Sequence, residues 1–185
     1  MEAHEDEEPE SERDYPEEAF QGYAGKSSKT REIKYLGWKA SQSKFNVIIT
    51  GESGTGKSTH TRLWRENIEG AFLLNDDSPM VRVEDGKVWV YGSAWSGKTP
   101  CYRDACARVG GIVKLSQAPH NKMRILSLPE AYAYMLSSAS GLKMEKQMAD
   151  CMYETIKHVI THVKCYHLDC LPNTEAAVVA QRGMV

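Results

Sequence analysis

No run of 18 apolar residues occurs anywhere in this 185-residue chain, so no stretch is long enough to form a membrane-crossing helix. The N-terminus also lacks the basic-then-apolar pattern of a secretory leader and opens on acidic residues instead. A soluble, cytoplasmic protein with no membrane partner is the expectation. Nothing in the chain interleaves basic and aromatic residues as a nucleic-acid groove would, so nucleic acid is not an expected partner. The five cysteines (Cys101, Cys106, Cys151, Cys165 and Cys170) are odd in number and come without a leader, which argues for reduced thiols. Two C-x4-C spacings make a zinc site conceivable, but small buried thiols near a strand end are the simpler reading.

Charge is present in both signs but is unevenly spread. Residues 1 to 20 carry ten of the 25 acidic residues and a single basic one, Arg13, so this segment has a net charge of -9 while the remainder has +7. A moderately basic body suits an anionic ligand. Residues 1–25 hold too few apolar side chains to offset the entropy of ordering and read as a disordered acidic tail. An autoinhibitory strip competing with phosphate is the sharper alternative. A basic linker, KSSKTREIK, follows, and 26–185 is expected to form one domain.

The most informative stretch is VIITGESGTGKSTHTRLW, from Val47 to Trp64. Val47, Ile48, Ile49 and Thr50 read as a buried strand, and Ser58 onward reads as a helix with Leu63 and Trp64 on its apolar side. Between them stand Gly51, Glu52, Ser53, Gly54, Thr55, Gly56, Lys57, Ser58 and Thr59. A glycine turn between strand and helix can aim main-chain N–H groups at an anion where the helix dipole is positive, which makes a phosphate cradle. Lys57 would reach the β- and γ-phosphates and the Ser58 hydroxyl would bind Mg²⁺.

Further along, Gly70 ends that helix and AFLL (71–74) reads as a second short core strand. It would deliver Asn75, Asp76 and Asp77 to the sheet edge where open α/β folds place ligands. MVRVEDGKVWVYG reads as a hairpin around Asp85-Gly86. Residues 92–108 lack either periodicity and read as a long functional loop. GGIVKLSQ (110–117) and MRILSL (123–128) read as strands, and a helix follows from Pro129. Leu142–Val163 has helical spacing, with Leu142, Met148, Met152, Ile156 and Ile160 broadly on one side. KCYHLDCL makes a last strand, and NTEAAVVAQR a closing helix capped by Asn173 or Thr174.

A phosphate loop needs a second oxygen ligand for its metal, and Asp76 and Asp77 stand 19 and 20 residues after Lys57. One carboxylate would hold the ion while the other orients or deprotonates an attacking hydroxyl, and the spacing assigns neither role. Lys98, Arg103 and Arg108 lie in or beside the long loop and are candidates to neutralise charge during transfer, with Lys98 the foremost. His158 and His162 have an i, i+4 metal spacing without the Glu of a zinc-protease helix and read as a helix face. Trp38, Trp64, Trp89 and Trp95 read mainly as packing, with Trp95 or Tyr91 able to stack on a base.

Taken in order, GESGTGKSTHTRLW, LLNDDSPMVRVEDGKVWVYG, AWSGKTPCYR and GGIVKLSQAP resemble the HPr kinase-like phosphotransferases. That family is akin to the HPr kinase/phosphorylase catalytic domain and, more distantly, to ATP-dependent phosphoenolpyruvate carboxykinase. The resemblance covers about residues 38 to 182. It implies an α/β fold with a P-loop-containing core and a mixed β-sheet flanked by helices. It implies ATP at Gly51 to Thr59, Mg²⁺ at Ser58, Asp76 and Asp77, and catalysis by Lys57, Asp76, Asp77 and Lys98. The acceptor it implies is a hydroxyl, of a protein serine or of a small molecule, and HPr kinases work as oligomers, so a homo-oligomer is a further expectation. Two departures stand out. Trp38-Lys39-Ala40-Ser41 replaces a His-Ala-Ser stretch, and an acidic tail stands where relatives have further β-structure. They motivate an alternative, a nucleotide-binding regulatory module without transfer. Carboxykinase-type transfer is a third reading. A GTPase is disfavoured because Asn121-Lys122-Met123-Arg124 lacks the aspartate that would read guanine.

Overall fold

Alternation along two buried strands sets the architecture. The computed structural model describes residues 46–97, 100–140 and 145–184, together with residue 31. β1 (Val47–Thr50), β5 (Gly111–Gln117) and β7 (Lys164–Cys170) run parallel, and β6 (Lys122–Ile125) joins β7 antiparallel, in the order β1-β5-β7-β6. The sheet is therefore mixed. Along β5, Ile112 faces one side while Val113 and Leu115 face the other, and all three are at most 2% exposed. Burying each such side chain contributes roughly 1.5–3 kcal/mol.

The Val113 and Leu115 side meets α1 (Lys57–Asn67) and α4 (Thr174–Met184), through Leu63, Trp64, Ala176, Ala177 and Ala180. The Ile112 side, with Ile48 and Cys165, meets α2 (Leu128–Ser138) and α3 (Lys146–His162) through Ala131, Val159 and Val163. Helices thus cover both faces of the sheet. A second, antiparallel sheet of β2 (Met80–Glu84), β3 (Lys87–Tyr91) and β4 (Cys106–Arg108) closes the Ile112 core with Val88, Val90 and Ala107.

Local chemistry explains most element ends. Asp85 and Gly86 take φ values of 50° and 70°, the left-handed pair that a two-residue hairpin turn demands. Ser127 and Glu130 form a capping box before α2, with Pro129 in its first turn. Asn173 supplies the cap of α4, its Oδ1 accepting from the Ala176 N–H at 3.1 Å. No helix among the described residues is long and apolar enough to cross a membrane.

Several expectations need correction. Residues 71–74 form no strand: Phe72 and Leu74 do pack on the core, but the Leu73 and Leu74 carbonyls accept from the Cys101 thiol at 3.5 and 3.4 Å and make no ladder with β1. The long 92–108 loop ends in a strand, because Cys106–Arg108 pairs with Trp89–Tyr91. The strand expected over 123–128 stops at Ile125, since Ser127 caps a helix that starts at Leu128. Helix α3 begins at Lys146 and buries Ala149, Ile156 and Val159, while Met148 is 53% exposed. The acidic tail, the basic linker, Trp38 to Ser41, Lys98 and Leu142 lie outside the described residues.

Candidate functional site

β1 ends at Thr50 and α1 begins at Lys57, so residues 51–56 form the connection. Gly54 and Gly56 have φ of 88° and 93°, in the left-handed region that side-chain-bearing residues rarely enter. Gly56 is the N-cap of α1 and offers no side chain to the first-turn N–H groups, and that turn holds no acidic residue. Neither the cap residue nor an acidic side chain of that turn therefore serves these donors. The loop is braced from within: Thr55 Oγ1 donates to the Glu52 carbonyl at 2.9 Å, and Gln117 Nε2, from the end of β5, donates to the Gly54 carbonyl at 3.0 Å. The Lys57 ammonium folds back on the same loop, donating to the carbonyls of Gly51 at 2.7 Å and Glu52 at 3.0 Å. Ser58 is exposed and Thr59 half-buried.

Asn75 organises the acidic turn. Its Oδ1 accepts from the Asp77 N–H at 3.0 Å, and its Nδ2 donates to Ser93 Oγ and to the Trp95 carbonyl, both at 3.0 Å. This ties residues 75–77 to the loop after β3. Gly97 closes the arrangement, since a Cβ there would lie 2.7 Å from Asp76 Oδ2. Lys57, Ser58, Asp76 and Asp77 all line one cavity of about 440 Å³, whose apolar wall includes Trp64 and Phe72. A hydroxyl and two carboxylates are hard oxygen donors of the kind that could hold Mg²⁺ were phosphate oxygens and water to complete the set. Among the described residues, no group of three or more His, Cys, Asp or Glu side chains could hold a metal by itself.

A second cavity, of about 530 Å³, lies against the same loop and is lined by Gly54, Thr59, His60, Leu115, Gln117 and Leu171 among others. His60 is 2% exposed, and its Nε2 accepts the Trp64 indole N–H at 3.1 Å. Burial holds its pKa down at about 4, so the ring is neutral near pH 7. Burial likewise raises the pKa of the Cys170 thiol at the cavity wall, with nearby Asp169 adding to the effect.

The Ile112 side of the sheet turns polar toward the C-terminal ends of its strands. Thr50, Lys114, His167 and Arg124 are neighbours in register, and Ser116 stands beside Asp169. Tyr134 of α2 donates its O–H to Thr50 Oγ1, and the Lys114 ammonium lies 4.9 Å from the Tyr134 ring centroid. His167 Nε2 is 2.9 Å from Ser116 Oγ and 3.5 Å from Asp169 Oδ1. Burial lowers the His167 pKa and Asp169 acts against it.

Of the residues singled out in the sequence, Gly51 to Thr59 are contiguous on the loop and the first turn of α1, and Asp76 and Asp77 share a cavity with Lys57 and Ser58. The structure does not describe Lys98. Arg103 lies 5.7 Å from the Phe72 ring centroid, and Arg108 is exposed on β4. Trp95 is 63% exposed beside the acidic turn. His158 and His162 stack on one another with ring centroids 4.0 Å apart. His60 and Gln117 were missed. The i, i+4 spacing of His60 and Trp64 was a readable signal for the first, and no local pattern marks the second. No family profile, curated protein or solved structure matches the chain.

Proposed function

We propose that this chain is an ATP- and Mg²⁺-dependent phosphotransferase with a P-loop-containing core of the HPr kinase-like type, moving a γ-phosphate to a hydroxyl of a protein serine or a small molecule. The observation that carries this reading is the shared cavity: a lysine and a serine from the glycine loop and two carboxylates from a separate segment line one space. Main-chain N–H groups of the glycine loop and of residues 57–59 would hold the phosphate chain. Lys57 would exchange its two loop carbonyls for phosphate oxygens, trading neutral acceptors for charged ones.

Ser58 and one of Asp76 and Asp77 would hold Mg²⁺, which supplies neutralisation of charge on the β- and γ-phosphates when bound. The other carboxylate would orient the acceptor hydroxyl and take its proton as the bond to phosphorus forms. Asn75 fixes the turn that presents both acids. The catalytic effect of such a site is positioning and charge stabilisation. Lys98, the last residue of the Trp95-Ser96-Gly97-Lys98 stretch, would add a cation from its loop. Homo-oligomerisation and a cytoplasmic location accompany this reading.

The test is transfer of label from γ-labelled ATP to protein or small-molecule acceptors in an extract, with Mg²⁺ present. Lys57→Ala and Asp76→Ala should each abolish transfer, and full activity in both variants would refute these roles. The replaced His-Ala-Ser stretch favours one alternative, a regulatory module that binds ATP without transferring phosphate. Tight equilibrium binding with no labelled acceptor would select it. Carboxykinase-type transfer, the third reading, would need a dicarboxylate site and a second metal.

A further inference from the structure

We propose that the cavity of about 530 Å³ on the α4 side of the glycine loop takes the nucleoside half of the ligand, and that His60 reads a hydrogen-bond acceptor on it. This rests on the phosphotransferase reading above. The loop separates two spaces: the carboxylates line one, and the other holds no ionised carboxylate among its lining residues. A triphosphate held along the loop therefore has its γ end toward Asp76 and Asp77 and its sugar and base toward the second space.

That second space has the chemistry a heterocycle needs. Leu63, Leu115, Leu171 and Pro172 supply apolar walls, and His60 and Gln117 supply polar groups at defined positions. His60 is the informative one. Its single side-chain hydrogen bond among the described residues is the one it accepts on Nε2 from Trp64. An imidazole that accepts on Nε2 carries its proton on Nδ1. The cavity wall thus offers an Nδ1 donor from a side chain that is otherwise packed in the interior. An unprotonated ring nitrogen or carbonyl oxygen of a nucleobase in the cavity would accept from it. Gln117 Nε2 is engaged by Gly54, which leaves its Oε1 to accept from an exocyclic amino group.

The experiment compares equilibrium binding of ATP and of tripolyphosphate, each with Mg²⁺, to the full chain and two variants. Leu171→Trp fills the cavity from a residue that is 37% exposed, and His60→Phe keeps a ring but removes the donor. The expected result is that ATP binds the parent at least tenfold more tightly than tripolyphosphate. Leu171→Trp should erase that advantage, and His60→Phe should cut it severalfold, with tripolyphosphate affinity unchanged in both. If the parent binds the two ligands equally, or if Leu171→Trp leaves the ratio intact, the nucleoside pocket is wrong while the phosphate loop stands. If the parent binds neither ligand, the phosphotransferase reading and this proposal fall together. Should His60→Phe not fold, the Leu171→Trp ratio alone decides.

Discussion

The Trp64 indole N–H donates to Nε2 of His60 at 3.1 Å, one turn apart on α1, and the two rings line different cavities. A single hydrogen bond therefore fixes both the tautomer of one side chain and the seat of the other. Desolvation keeps this imidazole neutral down to a pKa of about 4.

That depressed value makes a stability statement. An unfolded His60 takes up a proton near pH 6.5, whereas the folded one waits until about pH 4. Stability from this group is complete above about pH 6.5 and is lost as pH falls toward 4, by roughly 3 kcal/mol at most. Urea unfolding at several pH values should show this limb in the parent and a shallower one in His60→Phe. Parallel curves would contradict the assignment.

Gly97 sits against the Asp76 carboxylate, and an added Cβ would come within 2.7 Å of Oδ2. The far end of a side chain can yield, so Gly97→Ala should fold with little change in thermal midpoint. The displaced carboxylate should weaken the apparent Mg²⁺ affinity of nucleotide binding about tenfold. Unaltered Mg²⁺ dependence would show that Asp76 does not hold the ion.

Tyr134 ties α2 to the last residue before the glycine loop by donating to Thr50. Tyr134→Phe removes that donor and should cost about 1 kcal/mol. The Thr50 hydroxyl keeps its bond to the Val113 carbonyl at 3.3 Å, so the loss should stay local. Amide exchange measured residue by residue should speed up at the start of the loop and leave β7 unchanged.

The start of α2 depends on Ser127 and Glu130. Glu130 is held down at a pKa of about 2 by its bond from Arg124 first and by its two bonds from Ser127 after that. Its contribution is present above the ordinary carboxylate pKa and is lost as pH falls from about 4.5 toward 2. Ser127→Ala should destabilise the protein by about 1 kcal/mol. Glu130→Gln should remove this acid-side dependence, which denaturation between pH 5 and pH 2 would detect.

Thiol reactivity should single out one cysteine. Cys151 is exposed on α3, while Cys101, Cys165 and Cys170 are buried. Burial also raises the pKa of Cys106, Cys165 and Cys170, lowering their thiolate fraction. Brief alkylation of the folded chain should label Cys151, and Cys151→Ser should suppress the fast phase. Fast labelling at Cys170 would mean that its cavity opens more widely than described.

How far the sequence revealed all this varied with the range of the interactions involved. The strand, glycine turn and helix of 47–67 were readable because each is governed by neighbours in the chain, and so was the Asp85-Gly86 hairpin. Residues 71–74 misled because four apolar residues bury equally well as a strand or as coil, and a distant thiol, Cys101, engages two of their carbonyls. β4 was invisible for a related reason: three residues, Cys106 to Arg108, carry no period, and their pairing with β3 is tertiary. In the candidate site, Lys57, Ser58, Asp76 and Asp77 were singled out from motif and spacing, and they line one cavity. His60 looked like one more residue of an amphipathic helix, and the reach of Gln117 across 63 positions to Gly54 left no local trace.

That long reach has a practical result. The crest of the glycine loop is clasped by one exposed amide from a neighbouring strand, whereas its base is gripped by the Lys57 ammonium. Unfastening the clasp by exchanging Gln117 for alanine would slacken the crest and leave the base anchored, so pliancy and charge at this hinge of the molecule can be tuned one without the other.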